Sequence, residues 1–226
     1  MTVDRKAKTS PSAYKVYRYI LNKLTSRILF PGMQIVEADL EKEIGISRTP
    51  IRAAIQRLHY EGLVDIIPYK GAFIAQPTHE EITNAYQCKN LLEAEAVRLA
   101  CFYITDAELN RLDELLQQEK MLHNQQKVHD FYRMNQEFHM IIAKASRNPF
   151  LVKYINELIN KCNVYLIFYD NLVSPAHVSP TYKEHARILE AMKKRDSNAA
   201  VTAIKRHNLI TLNELDIPNH TSKKDS

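Results

Sequence analysis

Apolar residues recur at helical spacing along most of the chain. Tyr17, Ile20, Leu21, Leu24 and Ile28 share one face, which predicts a first helix over about Ser12 to Leu29, stopped by the Pro31-Gly32 pair. Val36, Leu40 and Ile44 predict a short second helix that ends at Gly45, a natural left-handed cap. Ser47 suits the N-cap of a third helix and Pro50 falls in its first turn, where a missing N–H is harmless. Ile51, Ala54, Ile55 and Leu58 make its inward stripe, and Gly62 ends it. The period then changes: Leu63 to Ile67 and Ala72 to Ala75 are β-prone runs around Pro68-Tyr69-Lys70-Gly71, which predicts a hairpin with a basic, aromatic tip. From Glu80 on only helical patterns occur, over about Glu80 to Tyr103, Asp106 to Gln125, His129 to Ser146, Pro149 to Asp170, Tyr182 to Lys194 and Ser197 to Leu215. Thr105 is placed to cap the second of these, and Asn148-Pro149 and Ser174 to Pro180 are turn-like.

The fold class expected is mainly α. A winged helix-turn-helix over residues 1–77 precedes an all-helical bundle over 78–218, with a frayed tail over 219–226. Composition agrees: the 226 residues are 45% hydrophobic and 25% charged, as in soluble globular proteins, and only 4 are Gly, which disfavours a tight-turned all-β chain. No apolar run approaches the ~18 residues of a membrane span, and Met1 to Ser10 lead into no apolar export signal. Cys88, Cys101 and Cys162 are odd in number and widely spaced, which is neither a disulfide framework nor a thiolate metal cluster and fits the cytoplasm.

Charge separates the two parts. Residues 1–78 carry 12 Lys/Arg against 7 Asp/Glu, whereas residues 79–226 carry 19 of each, so the net +5 lies in the first third. A polyanion-binding module joined to a neutral one is the expectation. Within the basic part, Arg48, Thr49 and Arg52 lie opposite the inward stripe at the start of the third helix. A recognition helix enters the major groove with its N-terminal side chains toward base edges, and Arg suits the paired acceptors of guanine. Tyr69 and Lys70 on the wing, with Lys15, Arg18 and Lys23 on the first helix, are candidates for phosphate contacts, and Arg57 is a weaker one.

These residues resemble a known family. Pro31-Gly32, Glu37, Leu40, Gly45-Ile46-Ser47-Arg48-Thr49-Pro50-Ile51-Arg52, Leu58, Glu61-Gly62-Leu63 and Lys70-Gly71 look like the winged helix of GntR-type bacterial transcription regulators. Where that pattern usually has Val-Arg-Glu-Ala-Leu, this chain reads Ile51-Arg52-Ala53-Ala54-Ile55, which leaves both arginines and the apolar phase intact. The resemblance implies that Arg48, Thr49 and Arg52 read the operator and that the wing at Gly71 reaches the adjacent groove.

In the neutral part, the informative residues are polar ones that interrupt apolar stripes. Asn135 is in phase with Phe131, Phe138 and Ile142, and His139 follows it by one turn. His185 shares a stripe with Ile188, Leu189 and Met192, and His207 one with Ala200, Ala203, Ile204 and Ile210. Buried without partners, such groups cost about a few kcal/mol each. A shared metal would satisfy all four, and an ordinary hydrogen bond in the core would satisfy any one of them.

The resemblance continues here: Lys89 to Glu93, Asn135-Gln136-Glu137-Phe138-His139, Glu184-His185 and Arg206-His207 look like FCD, the all-helical ligand-binding domain of the FadR-like GntR branch. In many members a carboxylate and three histidines hold a divalent metal. By position the ligands implied are Asn135, His139, His185 and His207, with zinc, nickel and manganese equally compatible. Asn135 stands where aspartate is more usual, so this ligand set is neutral and leaves positive charge for a carboxylate effector. Lys89, where the family often has arginine, is in phase with Ala85, Tyr86, Leu92 and Ala96 and can neutralise that carboxylate, or else pair with Glu93 one turn on.

The function expected is a ligand-responsive transcription regulator, a repressor that binds a palindromic operator as a homodimer. A metal-dependent hydrolase built on the three histidines is the alternative, although no His-Glu-x-x-His stretch, serine elbow or Gly-rich phosphate loop accompanies them. An architectural DNA binder without an effector is a third class.

Overall fold

The chain folds as two units, residues 1–77 and 78–226, seen in a computed structural model that describes residues 10–122, 128–169 and 181–217. The turn expected at Ser174 to Pro180, the last residues of the helices expected to reach Gln125 and Asp170, and the tail 219–226 lie outside the described residues.

The first unit contains α1 (Pro11–Thr25), β1 (Gln34–Ile35), α2 (Glu37–Ile44), α3 (Arg48–Tyr60), β2 (Val64–Ile67) and β3 (Gly71–Ile74). Ser10 caps α1 through Oγ, which accepts from the Ala13 N–H at 3.2 Å, with Pro11 in the first turn. The helix stops four residues short of the expected Leu29. Arg27 takes a left-handed φ of 55°, and the N–H groups of Arg27 and Ile28 return to the carbonyls of Leu24 and Lys23. This is a Schellman ending without glycine, so nothing in the sequence marks it. Arg147 and Arg195 take the same conformation after later helices.

Ser47 occupies the N-cap of α3 but its side chain makes no capping hydrogen bond, unlike the expectation. Val16, Ile20 and Leu24 of α1 and Ile51, Ala54, Ile55 and Leu58 of α3 are buried together with Leu40, Val64 and Ile74. The hairpin is joined by a strand that the sequence does not announce: β1 pairs antiparallel with β3, giving the order β1-β3-β2. Two residues are too few to display a period of two.

The second unit is helical throughout its described residues: α4 (His79–Tyr103), α5 (Asp106–Leu122), α6 (Val128–Ala145), α7 (Pro149–Tyr169), α8 (Thr181–Lys193) and α9 (Ser197–Glu214). The starts are written in the sequence. Thr78 Oγ1 accepts from the Glu81 N–H, Asp196 from the Ala199 N–H, and Thr105 and Glu108 cap each other reciprocally as a capping box. The long α4 packs on α6, α7, α8 and α9. Val97, Leu112, Leu115, Phe138, Ile142, Ile188, Met192 and Ile204 fill the main core. Asn135, His139, His185 and His207 sit on the inward stripes of α6, α8 and α9 and are therefore carried into this core.

Candidate functional site

On the first unit, α3 turns Arg48, Thr49 and Arg52 outward while its apolar stripe is sealed inside, as the phase predicts. Both guanidiniums already have partners on α2. Arg48 Nε lies 3.2 Å from Glu41 Oε2, and Arg52 Nε donates to both Glu37 oxygens at 2.9 and 3.0 Å. Glu37 and Glu41 are one turn apart, so one face of α2 holds both arginines. At the wing tip, Tyr69 is fully exposed with φ 64°, beside exposed Lys70. Gly71 needs its φ of 108°, and Gln34 from β1 props the turn by donating to the Lys70 carbonyl at 2.9 Å.

The weaker DNA candidates fare differently. Lys15 is exposed and Arg18 half-buried. Lys23 is held by Glu43 at 2.5 Å. Arg57 is engaged within the unit: its Nε donates to Glu61 at 2.9 Å and its guanidinium lies 4.0 Å from the centre of the Tyr17 ring, whose hydroxyl also donates to Glu61.

In the second unit the three imidazoles converge. His139, His185 and His207 are all buried, and one ring nitrogen of each lies within 4.8 Å of the others. Phe138 stacks on His185 with 4.2 Å between ring centres. Asn135 is buried one turn before His139 and borders the same cavity as Lys89, Cys162, Asn163 and His207.

Two buried carboxylates stand behind the rings: Glu119, which the sequence did not single out, and Glu93, expected only as a partner of Lys89. His139 Nδ1 is 2.9 Å from Glu93 Oε1, and His185 Nδ1 is 2.8 Å from Glu119 Oε2. The Nε2 atoms of both rings are buried and have no hydrogen-bond partner among the described residues. Burial lowers the pKa of His139 to about 4, against the raising pull of Glu93, and lowers that of His207 well below its usual range. Both rings are neutral at pH 7, the form that binds a metal. Burial alone would raise the carboxyl of Glu93, but its contact with His139 and the ammonium of Lys89 outweigh burial and lower it.

Lys89 realises the ion-pair alternative while lining the cavity. Its Nζ donates to Glu93 Oε2 at 2.8 Å and to Asn208 Oδ1 at 2.5 Å, and Asn208 returns a bond from Nδ2 to Glu93 at 2.9 Å. This network ties α4 to α9. Three buried imidazoles, with Nε2 of His139 and of His185 unpartnered among the described residues, fit a divalent ion, and Asn135, which borders the same cavity, carries a neutral oxygen of the kind such ions accept.

Comparison with known proteins gives the same division of the chain. Residues 13–74 match the bacterial regulatory proteins of the gntR family, and residues 84–209 match the FCD domain. An uncharacterized HTH-type transcriptional regulator, YdhC of Bacillus subtilis, is 29% identical over 88% of this chain and 89% of its own length. The HTH-type transcriptional repressor RspR of Escherichia coli is 25% identical over 92% and 90%. Among solved structures, E. coli McbR/YncC superposes with a TM-score of 0.65 at 21% identity, covering 89% of this chain and 97% of that one, a likeness of fold. These relatives are regulators, and the hydrolase alternative finds no support among them. No helix among the described residues is long and apolar enough to cross a membrane.

Proposed function

Because the chain belongs to the gntR family of bacterial regulatory proteins and carries an FCD domain, we propose that this DNA-binding transcription regulator is a cytoplasmic repressor. It binds a palindromic operator as a homodimer and answers to a small carboxylate metabolite. Arg48, Thr49 and Arg52 read bases, and Tyr69, Lys70 and Gly71 bring the wing to the backbone or the adjacent groove. The outward arginines on α3 support the reading role, and the name of RspR supports the repressor sign.

The observation that carries the sensing role is the convergence of three buried imidazoles with unpartnered nitrogens. His139, His185 and His207, with Asn135, would hold a divalent ion, whose positive charge anchors the effector carboxylate. Lys89 keeps Glu93 ionised, and Glu93 in turn faces His139. A divalent ion would bring positive charge beside the buried Lys89–Glu93 pair, which suits a carboxylate effector. Coupling to DNA is of the ordinary allosteric size, about 1–3 kcal/mol or roughly 5–150-fold in affinity.

The test combines metal analysis of the purified protein, thermal melts against small carboxylates and sugar acids, and fluorescence anisotropy on DNA from the regulator's own promoter. One metal per chain is expected, absent from the His139→Ala/His185→Ala double variant. An acid that raises Tm should weaken operator binding. Metal-free protein whose melting ignores both chelator and added zinc, nickel or manganese would refute the sensing site.

A further inference from the structure

We propose that Glu119 is the anionic member of the metal centre, a positioning residue that acts through His185 and replaces the charge that Asn135 does not bring. The inference rests on the metal reading above. Glu119 comes from α5, a helix that carries none of the proposed ligands, and it is buried. Its Oε2 accepts from His185 Nδ1 at 2.8 Å, whereas Oε1 is buried with no hydrogen-bond partner among the described residues.

The contrast with Glu93 is informative. Glu93 also faces a histidine, but Lys89 and Asn208 both bind its second side. Its charge is answered locally. His185 is the one ion-pair partner that Glu119 has among the described residues. Glu119 therefore acts through His185, whose other ring nitrogen, Nε2, is the buried atom open to a cation.

The geometry serves a metal in two further ways. The hydrogen bond that Nδ1–H donates to Glu119 fixes the ring in the tautomer that leaves the Nε2 lone pair free, and Nε2 is the buried atom without a partner. The carboxylate also raises the basicity of the ring as a ligand. Phe138, stacked on His185, keeps the ring plane in place. The negative charge thus stands one residue back from the ion and leaves the ligand shell itself neutral.

The experiment compares Zn²⁺ affinity, by competition with a chromophoric chelator, in the metal-stripped full chain and in Glu119→Gln, Asn135→Asp and their combination. Co²⁺ spectra and melting of the metal-free forms accompany it. Glutamine keeps an acceptor for Nδ1 and removes only the charge. We expect Glu119→Gln to weaken Zn²⁺ by about 10–100-fold at unchanged stoichiometry and Co²⁺ band positions, while its metal-free form melts no lower than wild type. Asn135→Asp should gain more affinity in the Glu119→Gln background than alone. Equal Zn²⁺ affinity in wild type and Glu119→Gln would overturn the inference and leave the metal site standing. So would a metal-free Glu119→Gln protein that melts well below wild type, because Glu119 would then be a structural acceptor. A wild type that binds no Zn²⁺ would overturn the metal reading itself.

Discussion

Replacing Lys89 with methionine keeps the length of the stem and removes its charge. In the native bundle the ammonium is buried and donates both to Glu93 and to Asn208, themselves buried. Without it, Glu93 faces only the Asn208 amide and a His139 ring that burial keeps neutral at pH 7. Breaking one side of a buried ion pair costs about 3–5 kcal/mol, whereas the exposed pair of Arg52 with Glu37 is worth about 0–1 kcal/mol. For a unit of this size the buried loss lowers Tm by roughly 6–20 °C. The chain has no Trp, so unfolding of chelator-treated protein in urea is followed by far-ultraviolet circular dichroism, which the helical unit dominates. Lys89→Met/Glu93→Gln should recover most of the loss, since the stranded charge is gone. A Lys89→Met protein within about 1 kcal/mol of wild type, no less stable than the double variant, would refute the account of this network.

Arg48→Ala should cost about 1–3 kcal/mol of binding to the operator and much less on random DNA; equal losses on both would remove its base-reading role. Tyr69→Gly should relieve about 1 kcal/mol of left-handed strain in the wing and weaken operator binding, read by melting and anisotropy; unchanged affinity would deny the tip a DNA contact. Burial pushes the Cys162 thiol up to about 12 despite the nearby Lys89 charge, so it stays protonated and unreactive at mildly alkaline pH. Iodoacetamide should therefore label exposed Cys88 in native protein and all 3 cysteines after denaturation, and rapid native labelling of Cys162 would contradict its burial.

Helical phase made the principal residues legible. The stripe of α3 turns Arg48 and Arg52 outward, and those of α6, α8 and α9 turn Asn135, His139, His185 and His207 inward. What phase does not carry is partnership between elements. The hold of Glu37 and Glu41 on the arginines depends on how α2 meets α3. Glu119, and the contact of Glu93 with His139, went unassigned because a carboxylate in a helix usually reads as surface. A signal was present, since Glu119 continues the inward series Leu112, Leu115, and Glu93 the series Tyr86, Lys89. The early end of α1 was hidden for another reason: Arg27 adopts a conformation normally announced by glycine.

The two outward arginines of α3 are already occupied by the glutamates of α2. If these arginines read bases as proposed, engaging DNA is a trade of one acceptor for another, with the paired acceptors of a guanine edge taking the place of the α2 carboxylates. Each exposed pair given up is worth about 0–1 kcal/mol, so the neighbouring helix would hold the two guanidiniums in place at little cost to binding.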